Sequence, residues 1–363
     1  MSAKPTTLPE ARARIDALDE TIQRLINERA EVAEAIRDIK VRAGDDGDHY
    51  RPAREADVLR RAMERNTGPI SNDTIARLMR EIMSACLALE SPLTVAYLGP
   101  EGTYTQEAVY KHFGHAVEAR AKRAIDEIFR DVDAGQTAYG VVPVENSIGG
   151  IVSNTLDELA TANLSICGEV LLPVHHHLMA KVERIDQIRV VFSHAQSLAQ
   201  CRNWLQQTLP GASQAVVASN GAAAQQVAET GQGAAIASRA AAERYGLNVL
   251  ASNIEDDPSN TTRFLIIGRK LSDPTGRDKT SLVMSAQQAR AGALFDLLEP
   301  FASAGINLSK LESRPSRRAA WDYNFYVDID GHCEDAQIKP VLDKIRSRAG
   351  LFRVLGSYPQ AVF

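Results

Sequence analysis

Residues Asn260 to Phe264 read Asn-Thr-Thr-Arg-Phe and run directly into the apolar stretch Leu265-Ile266-Ile267. Two hydroxyls and a guanidinium at the mouth of a strand are poor core material. They suit gripping a carboxylate and donating a hydrogen bond to a departing oxygen. Thr262, with Thr261 beside it, is the candidate for that contact, while Arg263 either holds a carboxylate or braces the loop. Further polar groups stand where apolar runs end. The turn Gly99-Pro-Glu-Gly-Thr103 offers backbone amides and the Thr103 hydroxyl. Glu145, Asn146 and Ser147 follow Gly140–Val144, and Ser193 and His194 follow Val190–Phe192. A second constellation lies near the N-terminus. Arg29 falls on an apolar seam formed by Ile15, Leu18, Ile22, Leu25, Val32, Ile36 and Ile39. A guanidinium on such a seam is costly unless a carboxylate or a bound anion meets it. Lys40 is eleven residues further on, which at about 100° per residue brings it within roughly 20° of Arg29 on the same face. Together they can close on one small dianion. Arg12 is about 42 Å from Lys40 along a helix rising 1.5 Å per residue, so only an antiparallel partner subunit would return it to the same ligand.

Three compositional regimes must position these groups. From about Leu8 to Leu89 the pattern is helical, with polar breaks at Gly44-Asp-Asp-Gly-Asp48 and Asn66-Thr-Gly-Pro69, which predicts three helices. Ser91-Pro92 ends the third, because proline disfavours helical geometry in the residue before it. From Leu93 to about Arg269, short apolar runs alternate with alanine-rich helical stretches. Val95–Leu98, Tyr139–Val142, Val190–Phe192, Ala215–Val217, Ala234–Ile236 and Phe264–Ile267 read as buried strands of an α/β unit with largely parallel sheets. After the turn-forming Asp273-Pro-Thr-Gly276 the order is strand, helix, strand, strand, helix, strand, an α+β module of ferredoxin-like topology. The expected domains are therefore residues 1–92, 93–270 and 279–358.

In this order the motifs resemble the prephenate dehydratases. The resemblance rests on Gly99-Pro-Glu-Gly-Thr-Tyr-Thr105, Val142-Pro-Val-Glu-Asn-Ser147, Ser193-His-Ala-Gln-Ser197 and the Thr-Arg-Phe run. Gly292-Ala-Leu294 and Glu312-Ser-Arg-Pro315 extend it to phenylalanine-sensing ACT domains, and the helical region is similar to chorismate mutases. The whole chain thus looks like the bifunctional chorismate mutase/prephenate dehydratases. The resemblance implies a two-lobed α/β middle domain similar to periplasmic binding proteins, with prephenate in the cleft between the lobes. It assigns prephenate contacts to Thr103, Glu145, Asn146, Ser147, Thr261, Thr262 and Arg263, the last two catalytic. It assigns chorismate contacts to Arg12, Arg29, Lys40, Arg54, Glu55 and Glu90, with Lys40 and Glu90 addressing the ether oxygen. Where well-known members carry an aspartate and a serine, this chain has Arg51 and Cys86, which are carried over only weakly. Some members have glutamine at Glu90; a protonated carboxyl would imitate that amide donor. Phenylalanine, the implied effector, would meet Gly292, Ala293 and Leu294, then Asn307, then Glu312, Ser313, Arg314 and Pro315. A homodimer through the helical and ACT domains is implied.

Composition narrows the alternatives. A net charge of −5 over 363 residues leaves no footprint for nucleic acid or an anionic membrane surface. Four cysteines far apart, with no Cys-x-x-Cys pair, argue against a disulfide framework or a zinc site and fit a reducing cytoplasm. The glycine-rich turn lacks both the P-loop ending and the dinucleotide spacing, so neither nucleotide nor NAD is expected. In the tandem His175-His176-His177 only alternate residues would share a strand face, so no metal is expected there. Neither reaction requires a cofactor. The competing class is a non-catalytic solute receptor with an amino-acid sensor attached, which the cationic seam in a separate helical region disfavours.

Overall fold

The computed structural model describes residues 5–44, 50–288, 290–316 and 322–362. Most of the expected Gly44–Asp48 break, from Asp45 onward, lies outside them. The helical region consists of α1 (Leu8–Arg42), α2 (Pro52–Arg65) and α3 (Asn72–Glu90). Thr7 and Glu10 close a capping box on α1, Pro52 occupies the first turn of α2, and the Ser71 hydroxyl accepts from Thr74 N at the start of α3. Both α1 and α2 pack against α3.

The first α/β lobe comprises β1 (Thr94–Leu98), α4 (Tyr104–Phe113), β2 (Glu118–Lys122), α5 (Ile125–Asp133), β3 (Tyr139–Asn146), β4 (Gly150–Ile151), α6 (Ser153–Thr161) and β5 (Ser165–Pro173). On α5, Ile125, Ile128, Phe129 and Val132 recur on one stripe and are all buried. The chain then crosses into a second lobe of β6 (His177–Ala180), β7 (Val190–Ser193), α7 (Ala195–Gln200), α8 (Arg202–Thr208), β8 (Ser213–Val216), α9 (Asn220–Thr230), β9 (Ala234–Ala237), α10 (Arg239–Tyr245) and β10 (Asn248–Ala251). It returns to the first lobe as β11 (Thr261–Gly268). The first sheet has the order β2-β1-β3-β11-β5 with β4 beside β3, and the second β10-β6-β9-β7-β8.

The expectation of largely parallel sheets is corrected. In the first sheet β11 runs antiparallel to both β3 and β5, and in the second β6 runs antiparallel to β9 and β10. Two crossings between the lobes reverse the chain direction and make both sheets mixed. Residues 174–176 and 252–260 form those crossings side by side, joined by Val174 N to Asn260 O at 2.8 Å and Ile254 N to His176 O at 2.9 Å.

The last module, β12 (Asp278–Ala286), α11 (Ala293–Ser303), β13 (Leu308–Pro315), β14 (Tyr323–Asp330), α12 (Lys339–Arg348) and β15 (Ala349–Pro359), has the sheet order β13-β14-β12-β15 expected of a ferredoxin-like unit. Its helices cover one sheet face, where Leu282, Met284, Val327 and Ile329 pack with Leu297 and Phe301. From the other face Val283, Tyr326 and Tyr358 join Val142, Leu265 and Ile267 of the first lobe in one core. The C-terminal module is thus packed directly on the back of the first lobe.

Candidate functional site

An open cleft of about 900 Å³ lies between the lobes. Lobe one contributes Thr103, Tyr104, Thr105, Pro143, Asn146, Thr262 and Phe264; lobe two contributes His194, Gln196, Ser197, Ser219 and Asn220; the crossings contribute His176 and Asn260. None of the residues lining it is a lysine, arginine, aspartate, glutamate or cysteine. An anionic ligand here would be met by hydroxyls, carboxamides and the N-termini of α4 and α9, whose free amides carry partial positive charge.

Asn146 and Thr262 sit opposite one another on the paired strands β3 and β11. The Asn146 Oδ1 accepts from the backbone amides of Ile148 and Gly149 at 3.2 and 2.7 Å, so its Nδ2 is fixed as the donor side. That Nδ2 donates to Thr262 Oγ1 at 2.9 Å and to Asn260 Oδ1 at 2.7 Å. Because Thr262 Oγ accepts from Asn146, its own proton is left to be donated into the cleft.

The same reasoning carries onward. Asn260, accepting through Oδ1, donates through Nδ2 to Gln200 Oε1 at 3.0 Å. Gln200 Oε1 is therefore an acceptor for the His176 Nε2 beside it at 2.8 Å, while His176 Nδ1 lies 2.9 Å from the Tyr104 hydroxyl, which donates to the His175 carbonyl at 2.7 Å. Burial pushes the His176 imidazole below its usual range and the Tyr104 phenol well above its own, so both are neutral. Gln200 Nε2 is buried without a protein partner among the described residues. Tyr104, His176 and His194 are the titratable side chains of the lining. His194 Nδ1 accepts from Gln196 N at the start of α7, which leaves its Nε2 for the cleft.

Several expected positions lie elsewhere. Arg263, alternating with Thr262, points to the opposite sheet face and is engaged by Glu169, Asp328 and Tyr358. Glu145 also faces away and pairs with Lys310 of β13 at 2.7 Å. A bulge, where the β3–β11 register skips Val144, turns Glu145 off the cleft face and brings Asn146 onto it. Ser147 and Thr261 are tied to each other through Ser147 Oγ and Thr261 N at 3.0 Å, and neither lines the cleft. Thr103 does line it, while its hydroxyl donates to Leu98 O. The tandem histidines staple the crossings: Glu255 accepts from His176 N and pairs with His175 Nδ1 at 2.8 Å. Among the described residues no group of His, Cys, Asp and Glu is arranged to hold a metal.

In the helical region Lys40, Arg29 and Glu90 are partly buried, Arg12, Arg51 and Arg54 are exposed, and Cys86 is buried. Arg54 reaches Asp57 at 3.4 Å. The carboxylate of Glu55 is committed to Arg80 at 3.1 Å, in contrast to its expected role as a ligand contact. Arg80 is a buried residue of α3 that also donates to the Lys111 carbonyl of α4, so this pair fastens the helical region to the first lobe. Sequence reasoning missed Arg80 because its partner stands 25 residues away on another helix. In the last module Gly292 starts α11 in a left-handed conformation at φ 79°, with Ala293 and Leu294 in the first turn. Asn307 is exposed and donates to Asp330 at 2.7 Å, and Glu312, Ser313 and Pro315 lie on β13. Arg314, expected at the effector pocket, instead reaches Ser153 and Asp157 of α6, because alternation along β13 turns it to the lobe-facing side of the sheet.

Three family descriptions match in order: chorismate mutase type II over residues 11–91, prephenate dehydratase over 95–272 and the ACT domain over 280–347. A bifunctional chorismate mutase/prephenate dehydratase of Stutzerimonas stutzeri is 51% identical over 98% of both chains. The chain belongs to the bifunctional chorismate mutase/prephenate dehydratases. A protein of the same name from Neisseria gonorrhoeae is 51% identical over 97% of this chain and 96% of its own. The solved prephenate dehydratase of Arthrobacter aurescens, described as a complex with L-Phe, is 36% identical, covers 74% of this chain and 90% of its own, and superimposes with a TM-score of 0.70.

Proposed function

We propose that this member of the family rearranges chorismate to prephenate in its helical region and converts prephenate to phenylpyruvate in the cleft, under inhibition by phenylalanine bound at the C-terminal module. The observation that carries the cleft assignment is the Asn146–Thr262 pair, which directs one hydroxyl proton into a pocket without charged carboxylates or ammonium groups. Loss of carbon dioxide and hydroxide together is driven by aromatisation of the ring. The protein needs only to hold the dianion and to meet the leaving oxygen with a hydrogen-bond donor. Thr262 supplies that donor, Asn146 orients it, and the helix N-termini hold carboxylates.

For the mutase, Arg12, Arg29 and Lys40 hold the two carboxylates of chorismate in its compact conformer, and Lys40 and Glu90 meet the ether oxygen where charge develops. Arg12 comes from the second subunit of a homodimer. Replacing Thr262 with alanine is expected to lower the dehydratase rate by about two to four orders of magnitude, the range for loss of a positioned donor, with the mutase unaffected. Thr262→Ser should recover most of the rate, because the hydroxyl and its bond from Asn146 are retained. Separate assays of prephenate formation and phenylpyruvate formation on the same preparations decide it; an undiminished dehydratase in Thr262→Ala removes the residue from the reaction.

A further inference from the structure

The two residues that orient the cleft hydroxyl each have a charged neighbour on the other side of the sheet. Asn146 and Thr262 face the cleft, while their neighbours Glu145 and Arg263, themselves paired in the same ladder, face the C-terminal module. All four strands of that module answer them. From β13, Lys310 holds Glu145 at 2.7 Å. From β14, Asp328 holds Arg263 at 2.5 Å, and from β15 the Tyr358 hydroxyl meets it at 2.8 Å. From β12, Ser281 donates to Asp328 at 2.6 Å, and Lys279 joins Arg263 on Glu169 of β5 at 2.9 Å. The three cations and three carboxylates balance, and Arg263, Glu169 and Asp328 are nearly buried. Such a network tolerates few intermediate geometries, because any displaced partner leaves a charge unpaired in a poorly hydrated place.

The network also reaches the sensor end of the module. Asn307 lies three residues before Lys310, and its Nδ2 donates to Asp330, two residues beyond Asp328. A ligand that repositions the turn at residues 305–307 would therefore pull on β13 and β14, the two strands that carry Lys310 and Asp328. We propose that Lys310–Glu145 and Asp328–Arg263 form a through-sheet coupling by which the C-terminal module sets the alignment of Asn146 and Thr262, so that effector binding and cleft catalysis bias the same two-strand rung. These are positioning residues; none of them touches the cleft. The proposal rests on reading the cleft as the dehydratase site and the module as the phenylalanine sensor.

Coupling between sites is distinguishable from binding at either one. For wild type, Lys310→Met and Asp328→Asn full-length protein, phenylalanine affinity is measured by calorimetry, and kcat and KM for prephenate with and without phenylalanine. Lys310→Met should bind phenylalanine within about threefold of wild type, while the effect of phenylalanine on prephenate turnover shrinks at least about fivefold. Asp328→Asn should behave alike if it folds; Lys310→Met, whose partner Glu145 is partly solvated, keeps the test open if it does not. The charge exchange Glu145→Lys with Lys310→Glu should regain much of the inhibition. Full wild-type inhibition in Lys310→Met overturns the proposal, as does loss of phenylalanine binding in step with inhibition, which would place Lys310 in the sensor itself. The wild-type rate and its response to phenylalanine, measured alongside, report separately on the reading of the cleft and the sensor.

Discussion

Glu90 ends α3 as a partly buried side chain, and an amide of the same shape can make polar contacts there. Glu90→Gln is expected to keep mutase activity within about tenfold of wild type, whereas Glu90→Leu, which removes every polar contact at that position, should lower it by about two orders of magnitude, with dehydration unchanged in both. A wild-type mutase rate in Glu90→Leu would remove the residue from the reaction. At this scale the sequence made the residue types legible but not always their direction. Thr262 and Asn146 were recognised from polarity at strand mouths and do meet in the cleft. Glu145 and Arg263 carried the same signal and point to the other face. Strict alternation from Pro143, which lines the cleft, would have put Glu145 there as well; the skipped residue at Val144 reverses it, and no local pattern announces a bulge. Gln200 and His176 were invisible as a pair because their meeting depends on both crossings lying together.

At the scale of elements, the Gly99–Thr103 turn holds lobe one against α10 of lobe two. Ser238 Oγ donates to Gly102 O at 3.2 Å and the Tyr245 hydroxyl to Glu101 O at 3.0 Å. Gly102 has φ 79°, and a Cβ there would stand 3.0 Å from Ala241 Cα. Gly102→Ala must therefore accept a left-handed backbone, costing about 1 kcal/mol, and also push α10 away. We expect a KM for prephenate raised about tenfold, in line with roughly 1.4 kcal/mol of lost alignment, and an unchanged mutase. Normal KM in a well-folded Gly102→Ala would mean that the lobes close without this contact. The elements themselves were largely legible, since apolar runs and proline or glycine punctuation mark most of them. Their directions in the sheets were not, because β11 returns to lobe one only after the whole of lobe two has been built.

At the scale of the whole molecule, the described residues leave one apolar stripe of α1 uncovered. Among the described residues of α1 none is buried, and the seven seam residues from Ile15 to Ile39 are each between 45 and 60% exposed. A continuous apolar stripe on a 35-residue helix, about 52 Å long, cannot be covered by the 19 residues of α3, about 28 Å long. A second copy running antiparallel would bury the stripe and bring its Arg12 to the Arg29 and Lys40 of the first. The seam was legible in the sequence; that no described residue covers it became visible only with α2 and α3 in place. From this arrangement a complementation test follows. Arg12→Ala and Lys40→Ala proteins are each expected to be inactive as mutases, since every site in either homodimer lacks one cation. In a mixed dimer one site receives both defects and the other receives neither. Random exchange of equal amounts should therefore restore roughly a quarter of the wild-type mutase rate, while phenylpyruvate formation from added prephenate stays constant throughout. Verified subunit exchange without recovery of mutase activity would show that Arg12 and Lys40 serve within one chain, and that the α1 stripe is covered in some other way.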